Sequence, residues 1–152
     1  KIRNDARVTV LERTNARYLT HAEVPCVPDI TVMDVSFISV RLILPVAAEL
    51  MEHRGRFYIL IKPQFEAGRE KVGKKGVVRD PAVHQEVIEK VRDYAMSIFM
   101  EPCHLSFSPI KGPEGNIEYL LHLKKHPEGT GVTDSLKVSV EAVVAEAHGQ
   151  LD

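Results

Sequence analysis

Three short runs carry the residues best suited to chemistry: Asp34-Val35-Ser36-Phe37, Lys62-Pro63-Gln64-Phe65 and Asn116-Ile117-Glu118-Tyr119. Each lies at the edge of a strand-like stretch, at residues 30–33, 57–61 and 119–123. In an open α/β sheet, ligands bind beyond the carboxyl ends of the parallel strands. An aspartate, a lysine and a glutamate delivered to one sheet edge form a candidate catalytic cluster. A lysine in such a cluster takes up a proton only if burial or a neighbouring cation depresses its pKa. Each residue also has a plainer explanation. Asp34 can cap the turn into the next helix, Lys62 can be an exposed strand-end residue, and Glu118 can be a surface strand position. On three strand ends together, the plainer explanations multiply down.

The elements that must position these residues follow the order strand, strand, helix, strand, loop, helix, strand, strand, helix. Residues 8–11 are apolar and β-branched enough for a buried strand. Ser39 caps a helix expected over 40–52, with Pro45 inside it and bending it. The continuous apolar run at 57–61 suits a central strand buried on both faces. A glycine- and lysine-rich loop follows, and Asp80-Pro81 then starts a helix expected to reach about residue 99. The next two strands, at 104–107 and from near Asn116, are joined by a connector too short for a helical crossover, which predicts an antiparallel pair. A linker at 127–133 leads to a final amphipathic helix over 134–150. No internal repeat is visible.

The 152 residues suit one domain with a real core, and the near-zero net charge of −1 supplies no global attraction to nucleic acid. Charge is uneven, however: from Arg54 to Arg79 there are eight Lys or Arg and two Glu. That stretch reads either as a basic patch or as a solvated loop. Cys26 and Cys103 have no paired spacing, and the seven histidines lack metal-ligand spacing, so a reducing, cytoplasmic setting without a metal site is expected. No apolar run approaches the roughly 18 residues of a membrane span. The chain starts at Lys1 and enters a strand-like stretch almost at once, which reads as a fragment of something longer.

Alternating strands and helices followed by an antiparallel pair resemble the second half of a Rossmann-like class I methyltransferase. The motifs narrow this. Asp34-Val-Ser-Phe-Ile-Ser, Ile-Lys62-Pro-Gln-Phe-Glu-Ala-Gly-Arg, Gly76-Val-Val-Arg-Asp-Pro and Ser108-Pro-Ile-Lys-Gly-Pro-Glu-Gly-Asn-Ile-Glu118 closely resemble the TlyA family. These are FtsJ-like ribosomal-RNA 2′-O-methyltransferases, often labelled haemolysins. The similarity extends over nearly the whole chain, including residues 11–18.

The resemblance implies a three-layer α/β sandwich, truncated so that the first strands and the cofactor loop are missing. It implies a Lys-Asp-Lys-Glu catalytic set, of which Asp34, Lys62 and Glu118 match the last three members. Lys62 is then the base, with both carboxylates holding it and positioning the hydroxyl. The first lysine, the glycine-rich S-adenosylmethionine loop and a small RNA-binding domain would precede Lys1, so the fragment is expected to be inactive alone. The strand at 8–11, deprived of its neighbours, is expected to be poorly ordered, displaced or paired with another copy of the chain.

In the resembled fold Glu12, Arg13 and Asn15 help line the cofactor pocket with Asp34, although Asn15 also reads as an ordinary helix cap. Arg69, Lys71, Lys74, Lys75 and Arg79 could clamp RNA phosphates, or form a disordered basic loop. The implied partner is ribosomal RNA or a ribosomal subunit, with self-association of the fragment left open. Two other readings stay open: a non-catalytic RNA- or ribosome-binding fragment, and a general nucleotide-binding α/β domain. A pore is rejected, since the sequence offers no membrane span, no alternating strand set and no strongly basic amphipathic helix.

Overall fold

The computed structural model describes residues 2–152. A four-stranded sheet is built from β1 (Ile30–Met33), β2 (Arg56–Ile61), β3 (Met100–Phe107) and β4 (Tyr119–Lys125), in the order β1-β2-β4-β3. β1 and β2 are parallel, while β4 runs antiparallel to both β2 and β3. The antiparallel pair expected near the carboxyl end is therefore present, with β4 inserted between strands of one direction.

Among the described residues four α-helices accompany the sheet: α1 (Leu44–Leu50), α2 (Pro63–Glu66), α3 (Pro81–Ser97) and α4 (Val140–Leu151). Asp80 caps α3 by accepting from the Ala82 amide, with Pro81 in the first turn, as the sequence predicts. The expected helix over 40–52 divides. Ser39 caps a 3-10 turn at Val40–Leu42, and α1 starts only at Leu44, with Pro45 in its first turn. Proline lacks the amide that a helix interior would use, so it opens this helix instead of bending it. The last helix also starts later than expected, at Val140 with Ser139 as cap, and leaves Val138 exposed outside it. Residues 8–11 form no strand and are exposed, and among the described residues no strand pairs with them.

One core joins α1, α3 and α4 to one face of the sheet, through Phe57, Ile59, Ile61, Tyr119, Leu121 and Leu123, all fully buried. The other face presents Ile30, Val32, Tyr58 and Leu120 to solvent, so β2 is not buried on both faces as its apolar run suggested. Among the described residues, two of the three expected layers are present. Apolar content alone could not separate a strand covered on both sides from one whose second cover these residues do not supply. A cavity of about 630 Å³ lies on this open face, lined in part by Arg56, Tyr58, His104, Leu120 and His122.

Candidate functional site

The parallel strands β1 and β2 end at Met33 and Ile61, so Asp34 and Lys62 emerge side by side at one edge of the sheet. Ile61 pairs with Tyr119, and continuing that register by one residue sets Lys62 across from Glu118. The sheet thus brings together the three residues expected to be catalytic. Lys62 and Glu118 are buried, whereas the Asp34 side chain is largely open to solvent.

Lys62 Nζ lies 2.5 Å from Asp34 Oδ1 and donates to Ser36 Oγ at 3.1 Å. Glu118 does not share in holding it. Among the described residues no ion pair joins them, and Glu118 Oε2 instead accepts from Gln64 Nε2 at 3.0 Å. The sequence reading of one lysine held between two carboxylates is corrected here: α2 begins directly after Lys62 and swings Gln64 over Glu118. A β-carbon at Gly112 would lie 2.3 Å from Glu118 Oε2, so only glycine lets that carboxylate lie against the 108–116 connector.

The loop after β1 is tied down twice. Besides Lys62, the nearly inaccessible Glu66 carboxylate accepts from Ser39 Oγ at 2.6 Å and from the Val40 amide at 2.8 Å. Burial pushes the Glu66 pKa up, opposed by those two hydrogen bonds and by the Arg41 charge. Between these ties Phe37 adopts a φ of 65° and is 89% exposed, with its ring centroid 4.9 Å from that of Phe65. A left-handed backbone is costly for an aromatic residue, and strain of this kind collects at ligand sites. The sequence reading gave neither phenylalanine a role. Their place, three residues after Asp34 and three after Lys62, was the available signal.

The residues expected around the cofactor do not converge. Glu12, Arg13 and Asn15 are exposed, and two of them are occupied locally: Glu12 pairs with Arg3, and Asn15 caps the turn Ala16–Tyr18 by accepting from the Arg17 amide. Asp34 alone of the four sits at the sheet edge with an accessible carboxylate, suited to an ammonium or hydroxyl ligand.

The expected RNA-binding residues largely cluster. Lys71, Lys74, Lys75 and Arg79 line a cavity of about 430 Å³ with Gly73 and Val77, whereas Arg69 is not among its lining residues. Lys71 is already engaged by Glu86 at 2.9 and 3.0 Å, and that bond raises its pKa. No ion pair involves Lys74, Lys75 or Arg79 among the described residues. The backbone beside this cavity, at Gly76 and Val78, is held by Asn116, which sequence reasoning left without a role. Its side chain is buried, accepts from the Val78 amide at 3.1 Å and donates to Gly76 O at 2.9 Å and Pro113 O at 3.1 Å. One carboxamide therefore joins the basic loop to the connector that carries Glu118.

No helix among the described residues is long and apolar enough to cross a membrane, and no group of three or more potential metal ligands is found there.

Comparison with known proteins agrees with this geometry. The family described as "FtsJ-like methyltransferase" matches residues 1–125. The chain is 48% identical over 152 residues to "Putative rRNA methyltransferase YqxC" of Bacillus subtilis, covering 99% of this chain and 54% of that protein. It is 37% identical over 145 residues to "16S/23S rRNA (cytidine-2'-O)-methyltransferase TlyA" of Mycobacterium tuberculosis, covering 95% and 54%. A solved structure described as "Putative hemolysin from Streptococcus thermophilus" superposes with a TM-score of 0.91 at 40% identity, covering 98% of this chain and 53% of that one. The chain spans about half the length of the curated relatives it matches. With its mixed sheet, its Asp-Lys-Glu edge and a family match over most of its length, the chain belongs to the FtsJ-like methyltransferase family.

Proposed function

We propose that this chain forms the catalytic edge of an S-adenosylmethionine-dependent methyltransferase acting on ribose 2′-hydroxyls of ribosomal RNA. The observation that carries this reading is the buried Lys62 amine, paired with Asp34 at the carboxyl ends of two parallel strands, with Glu118 buried across from it. The names of the relatives, with TlyA described as acting on cytidine 2′-oxygens of ribosomal RNA, support the substrate class.

A ribose hydroxyl is a poor nucleophile and gains from losing its proton as the new bond forms. Lys62 is the group here that can take that proton at Nζ, and Asp34 and Ser36 fix where Nζ stands. A carboxylate beside an amine favours the charged form and a second cation the neutral one. The family's further lysine, which matches no position of this chain, would tip that balance. S-adenosylmethionine, when bound, supplies the electrophilic methyl. Asp34 is the residue here that fits a cofactor hydroxyl or ammonium; Glu12 and Asn15 would have to leave their local partners to join it. Phe37 and Phe65, from the segments that follow Ser36 and Lys62, bring their rings together into an aromatic surface on which a base could stack. Lys74, Lys75 and Arg79 offer charge for the flanking phosphates.

The decisive test is methyl transfer to ribosomal subunits by a chain carrying the additional half that the relatives possess, with and without Lys62→Met. Loss of the proton acceptor is expected to slow transfer by about 100-fold or more, with cofactor affinity preserved. Unchanged transfer by the variant would remove Lys62 from the chemistry. Calorimetric titration of S-adenosylmethionine into the 152-residue chain checks the accompanying proposal that these residues alone do not complete the cofactor pocket. Tight binding would refute it.

A further inference from the structure

We propose that Gln64 is a positioning residue that holds the Glu118 carboxylate away from the Lys62 amine, leaving Asp34 as that amine's one carboxylate partner. The catalytic meaning of this arrangement rests on the reading of Lys62 as base; the arrangement itself does not.

Continuing the β2–β4 register by one residue sets Lys62 across from Glu118, and both are buried. Opposite charges in such positions ordinarily pair, since neither has water to turn to. Here each has another partner. Lys62 uses two of its three donors on Asp34 and Ser36, and Glu118 accepts from the Gln64 amide. An ionised carboxylate only accepts, so the Gln64 NH2 group must face it and the amide orientation is fixed.

The other end of that amide is the telling feature. Gln64 Oε1 is buried and accepts no hydrogen bond among the described residues. Native proteins rarely leave such an acceptor unpaired, and the exceptions gather where the arrangement serves a purpose. Glutamine here gives up one hydrogen bond to keep another, the one to Glu118. From the opposite side Gly112 leaves exactly the room that the carboxylate occupies. Glu118 is thus fixed between a glycine and an amide.

Lys62 touches Asp34 and Ser36 from the loop after β1, while Gln64 from α2 and Glu118, just before β4, pair with each other. Glu66 is turned toward Ser39, Val40 and Arg41, and Lys111 on the connector lies 3.7 Å from Asp152. Removing the amide therefore frees one carboxylate to approach the amine, and a second carboxylate would hold its proton more firmly.

NMR titration of the Lys62 amine in isotopically labelled chain reads this directly, without activity. Gln64→Leu is expected to move the Lys62 midpoint up by about one pH unit, and adding Glu118→Gln is expected to cancel that rise and bring it to the midpoint of Glu118→Gln alone. Glu118→Gln alone is expected to lower the midpoint, but by clearly less than Asp34→Asn does, because Asp34 touches the amine and Glu118 does not. A downward shift from Glu118→Gln as large as that from Asp34→Asn would overturn the proposal, even where Gln64→Leu fails to fold. An unmoved midpoint in folded Gln64→Leu would overturn it equally. Failure of the methyl-transfer test with Lys62→Met would leave these midpoints unaffected, so the two readings fail separately.

Discussion

At the scale of single residues, the side chains that carry charge were legible in the sequence, and those that place the charge were not. Asp34, Lys62 and Glu118 stood out because polar residues ended apolar runs. Gln64 and Asn116 did not, because a neutral amide announces nothing until its partners are known. Asn116→Ala strips partners from the Val78 amide and from Gly76 O and Pro113 O. At about 1 kcal/mol for each lost bond, unfolding in urea should show a loss of about 2–3 kcal/mol, together with weaker salt-sensitive RNA binding as the basic loop loosens. Unaltered stability would mean that the loop is held by other contacts. Phe37 supports a contrasting expectation. Its ring is 89% exposed, so Phe37→Ala should change folding stability by no more than about 1 kcal/mol. If a base stacks there, RNA binding should weaken by about 1–3 kcal/mol. Equal RNA affinity in filter binding would show that the strained aromatic serves something else.

At the scale of elements, type and order could be read from the sequence, whereas boundaries followed from local chemistry that competes with periodicity. The apolar spacing across 40–52 looked like one helix, yet Pro45 placed α1 after a 3-10 turn, and Ser139 outcompeted Asp134 as the start of α4. Long-range cross-links were invisible for a different reason: they depend on which helices meet. Lys125 from β4 donates to Ala48 O and Met51 O, satisfying the carbonyl end of α1. Where α3 meets α4, His84 is buried, with Nε2 at 2.7 Å from Val78 O and Nδ1 at 2.8 Å from the Tyr119 hydroxyl. His148 Nε2 approaches the same Nδ1 at 3.1 Å. Donation from Nε2 to the carbonyl leaves Nδ1 as an acceptor, which is the neutral tautomer. Burial lowers the His84 pKa, helped by the His148 charge and opposed by the Val78 carbonyl, Asp152 and Asp80. A histidine depressed in the folded state binds its proton more readily when unfolded, so stability falls as pH drops below about 6.5, the unfolded value. The loss continues until the folded value is passed. Each unit of depression corresponds to about 1.4 kcal/mol. Denaturation at pH 5 and pH 7 should therefore differ more for the parent chain than for His84→Gln, and equal differences would assign the acid limb to other groups.

At the scale of the whole molecule, the uneven cover of the sheet is the dominant feature. Helices occupy one face, while Val32 is 75% exposed, Ile30 56%, Leu120 42% and Tyr58 39% on the other. These side chains are contiguous, because Val32 pairs with Tyr58 and Ile30 with Arg56 on parallel strands, and Leu120 lies across from Leu60. Beside them Tyr58, His122 and His104 stack in a row, with centroids 4.6 and 5.2 Å apart. Among the described residues β1 pairs only with β2, so its outer edge also offers unpaired backbone groups. Water is a poor partner for such a face, and an open strand edge is a template for another chain. The 152-residue chain is therefore expected to associate with itself in a concentration-dependent way, and sedimentation velocity measures this directly. Val32→Lys puts a charge at the centre of the face and should shift the population toward monomer without loss of fold, because its parent side chain touches little of the core. In a chain extended to the length of the relatives, a different result is expected if the extra residues supply the missing cover. That longer protein should sediment as a monomer, and Val32→Lys should then destabilise it by burying a lysine without a partner. A monomeric 152-residue chain, indifferent to Val32→Lys at high concentration, would show that the exposed face is tolerated by water as it stands.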